Sequence, residues 1–238
     1  MAVAVEVQNF VKYYGKQEAV KSISFSINKG EIFGLIGPNG AGKTTTLRVL
    51  ATLLQINSGT ITVMGYDVAK QPEKIRKLIS YLPEDAGAYK NLSGERYLKF
   101  IANFYPAADR REMIERGIAI ANLGDRITDK VDNYSKGMKR RLLVGRALMT
   151  NPELSILDEP TSGLDVINAH EIRNIIKNTA QRGTTVLLSS HNMLEVEFLC
   201  DRIALIDDGR IVESGKPQAL KEKYQAQNIE EVFTRVVL

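Results

Sequence analysis

The chain has 238 residues, a length that suits one globular unit carrying an inserted lobe. Hydrophobic residues make up 44% and charged residues 25%, which excludes disordered, collagen-like and coiled-coil classes. Thirty-two basic against 28 acidic side chains leave +4, an excess that permits a nucleic-acid or membrane-surface partner without implying one.

Period-two patterning at 3–11 and 20–27 predicts half-buried antiparallel strands. The continuous apolar runs at 32–36, 154–157 and 184–189 predict strands covered on both faces. Helical patterns lie between them at 43–54, 136–149 and 169–181, so right-handed crossovers and a mainly parallel sheet are expected. From about 85 to 133 there is no convincing strand, but helical stretches occur around 93–104 and 108–122. This segment reads as a helical lobe inserted into an α/β core. Near the end, 203–207 and 210–213 flank Asp208-Gly209, a two-residue hairpin signal. A single cysteine, Cys200, rules out an intrachain disulfide and fits a reducing compartment. No basic leader precedes the apolar start, and no apolar run nears the ~20 residues that span a bilayer. The expectation is a cytosolic protein whose membrane role, if any, comes through a partner.

Gly37-Pro38-Asn39-Gly40-Ala41-Gly42-Lys43-Thr44 fits G-x-x-x-x-G-K-[ST] between a buried strand and a helix start. Glycines let backbone N–H groups wrap an anion, and the helix N-terminus adds partial positive charge. Lys43 would reach the β- and γ-phosphates of a nucleotide and Thr44 would ligate Mg²⁺. Asp158 and Glu159 close the next apolar run. Asp158 is placed to hold Mg²⁺ through water and Glu159 to polarise an attacking water as general base.

Tyr134-Ser135-Lys136-Gly137-Met138, 23 residues before Asp158, opens a helix with Ser135 as a good N-cap. It resembles the signature motif of ATP-binding cassette (ABC) ATPases, with Tyr, Lys and Met in place of the commonest residues. Ser162-Gly163-Leu164-Asp165 is similar to that family's dimer loop, and His191 to its switch histidine. The resemblance covers about residues 3–216 and implies a P-loop NTPase (RecA-like) α/β core with a mainly parallel sheet. An N-terminal antiparallel β subdomain and an inserted α-helical subdomain (about 85–133) would complete a single ABC ATPase domain, with a helical tail at about 217–238.

On this resemblance ATP would be held by Tyr14, Gly37, Pro38, Asn39, Gly40, Ala41, Gly42, Lys43, Thr44 and Thr45. Glu159, His191 and Lys43 would act in hydrolysis, with Thr44, Glu84 and Asp158 as the metal set. Glu84 stands where most cassettes carry glutamine. Tyr14 is taken as the adenine stacker, with adjacent Tyr13 as the alternative. Ser135, Lys136, Gly137, Met138 and Asp165 would contact the nucleotide of a second cassette, with a homodimer expected. The cofactors implied are ATP and Mg²⁺, and the partners are a second ABC ATPase subunit and integral membrane permeases, with no nucleic acid expected. The Leu82-Pro83-Glu84-Asp85 stretch, the signature and the ending Ile229-Glu230-Glu231-Val232-Phe233 look most like the ABC-2-type exporter branch. A groove in the lobe, lined by Leu92, Tyr97, Phe100 and Tyr105, would receive a helix of the permease. The competing readings are a cassette ATPase acting on nucleic acid or ribosomes, and a P-loop metabolite kinase. The first needs coiled coils or tandem cassettes that 238 residues cannot hold, and the second leaves Ser135–Gly137 and Asp165 without a role.

Overall fold

The computed structural model describes residues 2–238, the side chain of Glu195 apart. Its N-terminal layer is an antiparallel sheet of order β2-β1-β4-β5, built from β1 (Val3–Tyr14), β2 (Gln17–Asn28), β4 (Ser58–Val63) and β5 (Tyr66–Asp67). The central sheet has six strands in the order β10-β9-β3-β8-β7-β6. These are β3 (Ile32–Ile36), β6 (Ile79–Leu82), β7 (Leu154–Asp158), β8 (Thr185–Ser190), β9 (Arg202–Asp207) and β10 (Arg210–Gly215). All neighbours pair in parallel except the β9–β10 hairpin, which turns at Asp208-Gly209.

Period-two alternation splits the apolar runs between two cores. Phe33, Leu35, Ile156 and Leu187 face the antiparallel sheet and α1 (Lys43–Leu50). Ile32, Ile36, Leu157, Val186 and Leu188 face the helices on the other side. Those helices are α3 (Gly94–Ala102), α4 (Arg110–Ala121), α5 (Lys136–Leu148), α6 (Val166–Gln181), α7 (Met193–Val196), α8 (Pro217–Tyr224) and α9 (Ile229–Val237); the short α2 (Pro72–Arg76) lies before β6. Each buried Leu or Ile contributes about 1.5–3 kcal/mol, so both faces of the central sheet are fastened. No described helix is long and apolar enough to cross a membrane.

Two expectations change. The helix expected over 43–54 ends at Leu50, because Thr52 adopts φ +60 and breaks the hydrogen-bond ladder. Tyr97 does not line a surface groove: it is 2% exposed and belongs to the core beneath the lobe. The open aromatic surface is instead Tyr89, Phe100, Phe104 and Tyr105, with Tyr89–Phe100 and Phe100–Phe104 ring centroids 5.3 and 5.4 Å apart, edge to face.

Candidate functional site

Parallel register brings the site together. Ile36 pairs with Ser190, Ser189 with Asp158, and Leu157 with Leu82, so β3, β8, β7 and β6 release their following loops along one edge. Carboxyl ends of parallel strands are where α/β sheets gather ligands.

The loop after β3 is packed against β8 and β9. Gly37 donates its N–H to the Ser190 carbonyl at 3.2 Å, and a Cβ on Gly37 would lie 1.9 Å from the Ile206 carbonyl oxygen. Only glycine fits there. Lys43, 5% exposed, donates to the Gly37 and Pro38 carbonyls at 2.7 and 3.1 Å and lies 3.5 Å from Glu159 Oε1. The Thr44 hydroxyl donates to Asp158 Oδ1 at 3.2 Å.

Asp158 is buried, and its charge is met by Thr44 and by the Ser189 hydroxyl, which donates to Oδ1 at 2.5 Å. The same Ser189 oxygen accepts the Glu159 N–H at 3.0 Å. Glu159 has φ +48, a left-handed backbone that costs a non-glycine residue about 1–2 kcal/mol. Its Oε2 lies 2.9 Å from His191 Nδ1, while Oε1 is buried with no hydrogen-bond partner. Oε1 is the one carboxylate oxygen among the described residues in that condition. A buried acceptor with free lone pairs is suited to take a hydrogen bond from a water molecule.

Lys43, Thr44, Thr45, Glu84 and Glu159 line a cavity of about 180 Å³ together with Asn39, Gly40 and Gly42. Glu84 enters from the exit of β6, and its Oε1 accepts from the Ser162 hydroxyl at 3.4 Å. Gln17, Glu18, Ala19, Asp208 and Gly209 complete the wall. Tyr13 and Tyr14 stand beyond it, at the end of β1, 42% and 46% exposed. The Tyr13 hydroxyl is tied to Glu18 Oε1 at 3.1 Å; the Tyr14 ring has Lys12 Nζ 5.6 Å from its centroid.

The Ser135–Met138 segment lies at the start of α5. The Ser135 hydroxyl accepts the Met138 N–H at 3.2 Å, the N-cap read from the sequence. Gly137 is pressed on α6, where a Cβ would fall 2.1 Å from Asn168 Oδ1. Asp165 caps α6 by accepting the Asn168 N–H at 2.9 Å and the Asn168 side-chain amide at 2.7 Å. The bond from the Asn168 N–H, then that from its side chain, holds the Asp165 carboxyl below its usual range. His170 faces outward and meets Asn174 at 3.2 Å, away from this edge.

A family model described as "ABC transporter" matches residues 20–162. The chain belongs to the ABC transporter family. The linearmycin resistance ATP-binding protein LnrL of Bacillus subtilis (strain 168) is 41% identical over 89% of this chain and 68% of its own length. The daunorubicin/doxorubicin resistance ATP-binding protein DrrA of Streptomyces peucetius is 38% identical over 92% and 67%. A solved ATP-binding subunit of an ABC transporter superposes with a TM-score of 0.85 at 28% identity, covering 99% of this chain and all of the other. A dimeric cassette solved in a post-hydrolysis state with ADP and Pi shares the fold, with a TM-score of 0.78 at 24% identity over 89% and 98%. The chain is thus an ABC ATPase, a subunit that binds and hydrolyses ATP.

Three residues of this ABC ATPase carry more of the site than their sequence context shows. Ser189 sits within an apolar run, where a serine passes for a neutral filler. Asn168 gives no motif signal. Arg140 belongs to the basic stretch Lys136–Arg141 and carries no motif role of its own, yet it is only 8% exposed. Burial pulls its pKa down, against the opposing charges of Glu84, Asp158 and Glu159.

Proposed function

We propose that this ABC ATPase is the motor subunit of an exporter, working as a nucleotide-sandwich dimer that drives integral membrane permeases. The observation that carries the reading is the convergence of Lys43, Thr44, Asp158, Glu159 and His191 at one sheet edge, with Glu159 Oε1 buried, 3.5 Å from Lys43 Nζ and without a hydrogen bond. ATP phosphates would lie in the loop 37–44, and Lys43 would exchange its carbonyl partners for phosphate oxygens. Thr44 and Asp158, already 3.2 Å apart, offer a hydroxyl and a carboxylate of the hard-oxygen kind Mg²⁺ takes, and Glu84 stands on the same wall. These residues fit Mg²⁺, which keeps most of its shell for water and phosphate, and the ion would neutralise the developing phosphoryl charge.

Glu159 would accept the proton of the attacking water, and His191, holding its other oxygen, would fix the carboxylate's orientation and face the γ-phosphate. Tyr14, the tyrosine whose hydroxyl is not committed to a neighbouring carboxylate, would stack on adenine. Ser135, Lys136, Gly137, Met138 and Asp165 would contact the nucleotide held by the second cassette. ATP binds that closed dimer better than the open subunit, so binding shifts the population toward closure.

Export is supported by what the relatives are named for, resistance to linearmycin and to daunorubicin and doxorubicin. The exposed rings of Tyr89, Phe100, Phe104 and Tyr105 suit an apolar permease segment, and the lobe runs from Glu84 to Ser135, so both its ends would sense nucleotide. Through the permeases the subunit would sit at the cytosolic face of the membrane. The test is Glu159→Gln: ATP binding persists, ATP-dependent dimers accumulate and turnover nearly vanishes. Ordinary steady-state hydrolysis by that variant would remove Glu159 as the base.

A further inference from the structure

The loop that carries Glu159 is held by a side chain from another element. Arg140, on the second turn of α5, donates Nε–H to the Pro160 carbonyl at 2.7 Å. Its Nη2 donates to the Asp158 and Glu159 carbonyls at 2.9 and 2.6 Å. Its Nη1 points the other way, to the Glu84 carbonyl at 3.2 Å and the Pro83 carbonyl at 3.5 Å. Every one of these acceptors is a main-chain oxygen, so the guanidinium fastens backbone to backbone and leaves the carboxylates of Asp158, Glu159 and Glu84 to their own side-chain partners.

Two strands end at these carbonyls. β7 delivers Asp158–Pro160 and β6 delivers Pro83–Glu84, while Arg140 itself rides on the helix that Ser135 caps. The fork that grips the loop of the proposed base lies five positions after the cap, where the opposite nucleotide would be read. Glu159 also needs holding. Its left-handed φ of +48 is disfavoured for a side chain of this kind, and such a conformation persists only where its surroundings over-determine it. The Ser189 hydroxyl secures the Glu159 N–H, and Arg140 secures the carbonyl on the other side of the same residue.

We propose that Arg140 is a positioning residue for hydrolysis: its guanidinium fork fixes the backbone of Glu159 and links it to the exit of β6 and to the helix of the signature segment. The proposal rests on the reading of Glu159 as the base. A planar, five-donor fork is required because the carbonyls lie in two separate loops, and a lysine ammonium is a single point that reaches one of them. Arg140 itself does not line the cavity that Lys43 and Thr44 share, so nucleotide affinity should not depend on it.

The test measures kcat, KM and ATP Kd in the full chain for Arg140→Met, Arg140→Lys and Glu159→Gln, with a thermal midpoint for each. A misplaced catalytic group costs about 10²-fold in rate, so Arg140→Met should lose about that much in kcat while Kd stays within threefold. Arg140→Lys keeps the charge but not the fork and should recover less than a tenth of the wild-type kcat. A kcat for folded Arg140→Met within twofold of wild type overturns the proposal, as does a Kd that weakens in step with kcat. If Arg140→Met does not fold, Arg140→Lys decides, and full activity there overturns the proposal. Should Glu159→Gln turn over normally, the base reading fails instead; Glu159→Gln inactive with Arg140→Lys active would sink the positioning role alone.

Discussion

Ser189→Ala probes the joint between β8 and the catalytic loop. The side chain is fully buried and serves two neighbours at once, donating to Asp158 Oδ1 at 2.5 Å and accepting the Glu159 N–H at 3.0 Å. A hydrogen bond to a charged group contributes about 1.5–3 kcal/mol and a neutral one about 0.5–1.5 kcal/mol, so the loss should be about 2–4.5 kcal/mol. For a chain of this size that corresponds to a fall of about 4–18 °C in Tm. Ser155→Ala is the matched control: Ser155 is equally buried on the neighbouring strand, but its hydroxyl meets only the Ser80 hydroxyl, at 3.0 Å. That variant should lose about 1 kcal/mol. Denaturant unfolding of the two variants beside wild type gives the comparison, and kcat should fall only for Ser189→Ala. Equal losses in the two variants, or a Ser189→Ala variant within 0.5 kcal/mol of wild type (about the scatter of neutral substitutions), would refute the reasoning.

Replacing Tyr14 by Ala should weaken ATP binding by about 1–3 kcal/mol, measured by nucleotide titration; the same loss in Tyr13→Ala and none in Tyr14→Ala would reverse the assignment. Gly137→Ala drives a methyl into Asn168, so ATP-dependent dimers seen by light scattering in a Glu159→Gln background should be lost, while ATP still binds the isolated subunit. Asp165 has its carboxyl pKa depressed in the folded chain, so its cap stabilises above the unfolded pKa of about 3.9 and fades as pH falls through the lower folded value. The stability gap between wild type and Asp165→Ala should therefore be level above about pH 5 and close in more acidic buffer; a gap that widens on acidification contradicts the cap.

Local chemistry determined much of this protein in advance. Alternation in 3–11 and 20–27, the apolar runs at 32–36 and 154–157, and the loop 37–44 announce strands and an anion cradle, because each depends on residues adjacent in the chain. The N-cap at Ser135 and the turn at Asp208-Gly209 are legible for the same reason. Tertiary structure decided the rest. An aromatic on an amphipathic helix carries no mark of which side the core lies on, so Tyr97 went inward while Phe100 stayed out. Arg140 and Ser189 look ordinary in sequence because their partners are 18 to 57 residues away for the one and about 30 for the other. Their roles exist only once parallel register has placed the ends of β6, β7 and β8 side by side, where a buried guanidinium and a buried hydroxyl must find carbonyls and carboxylates or not be buried at all.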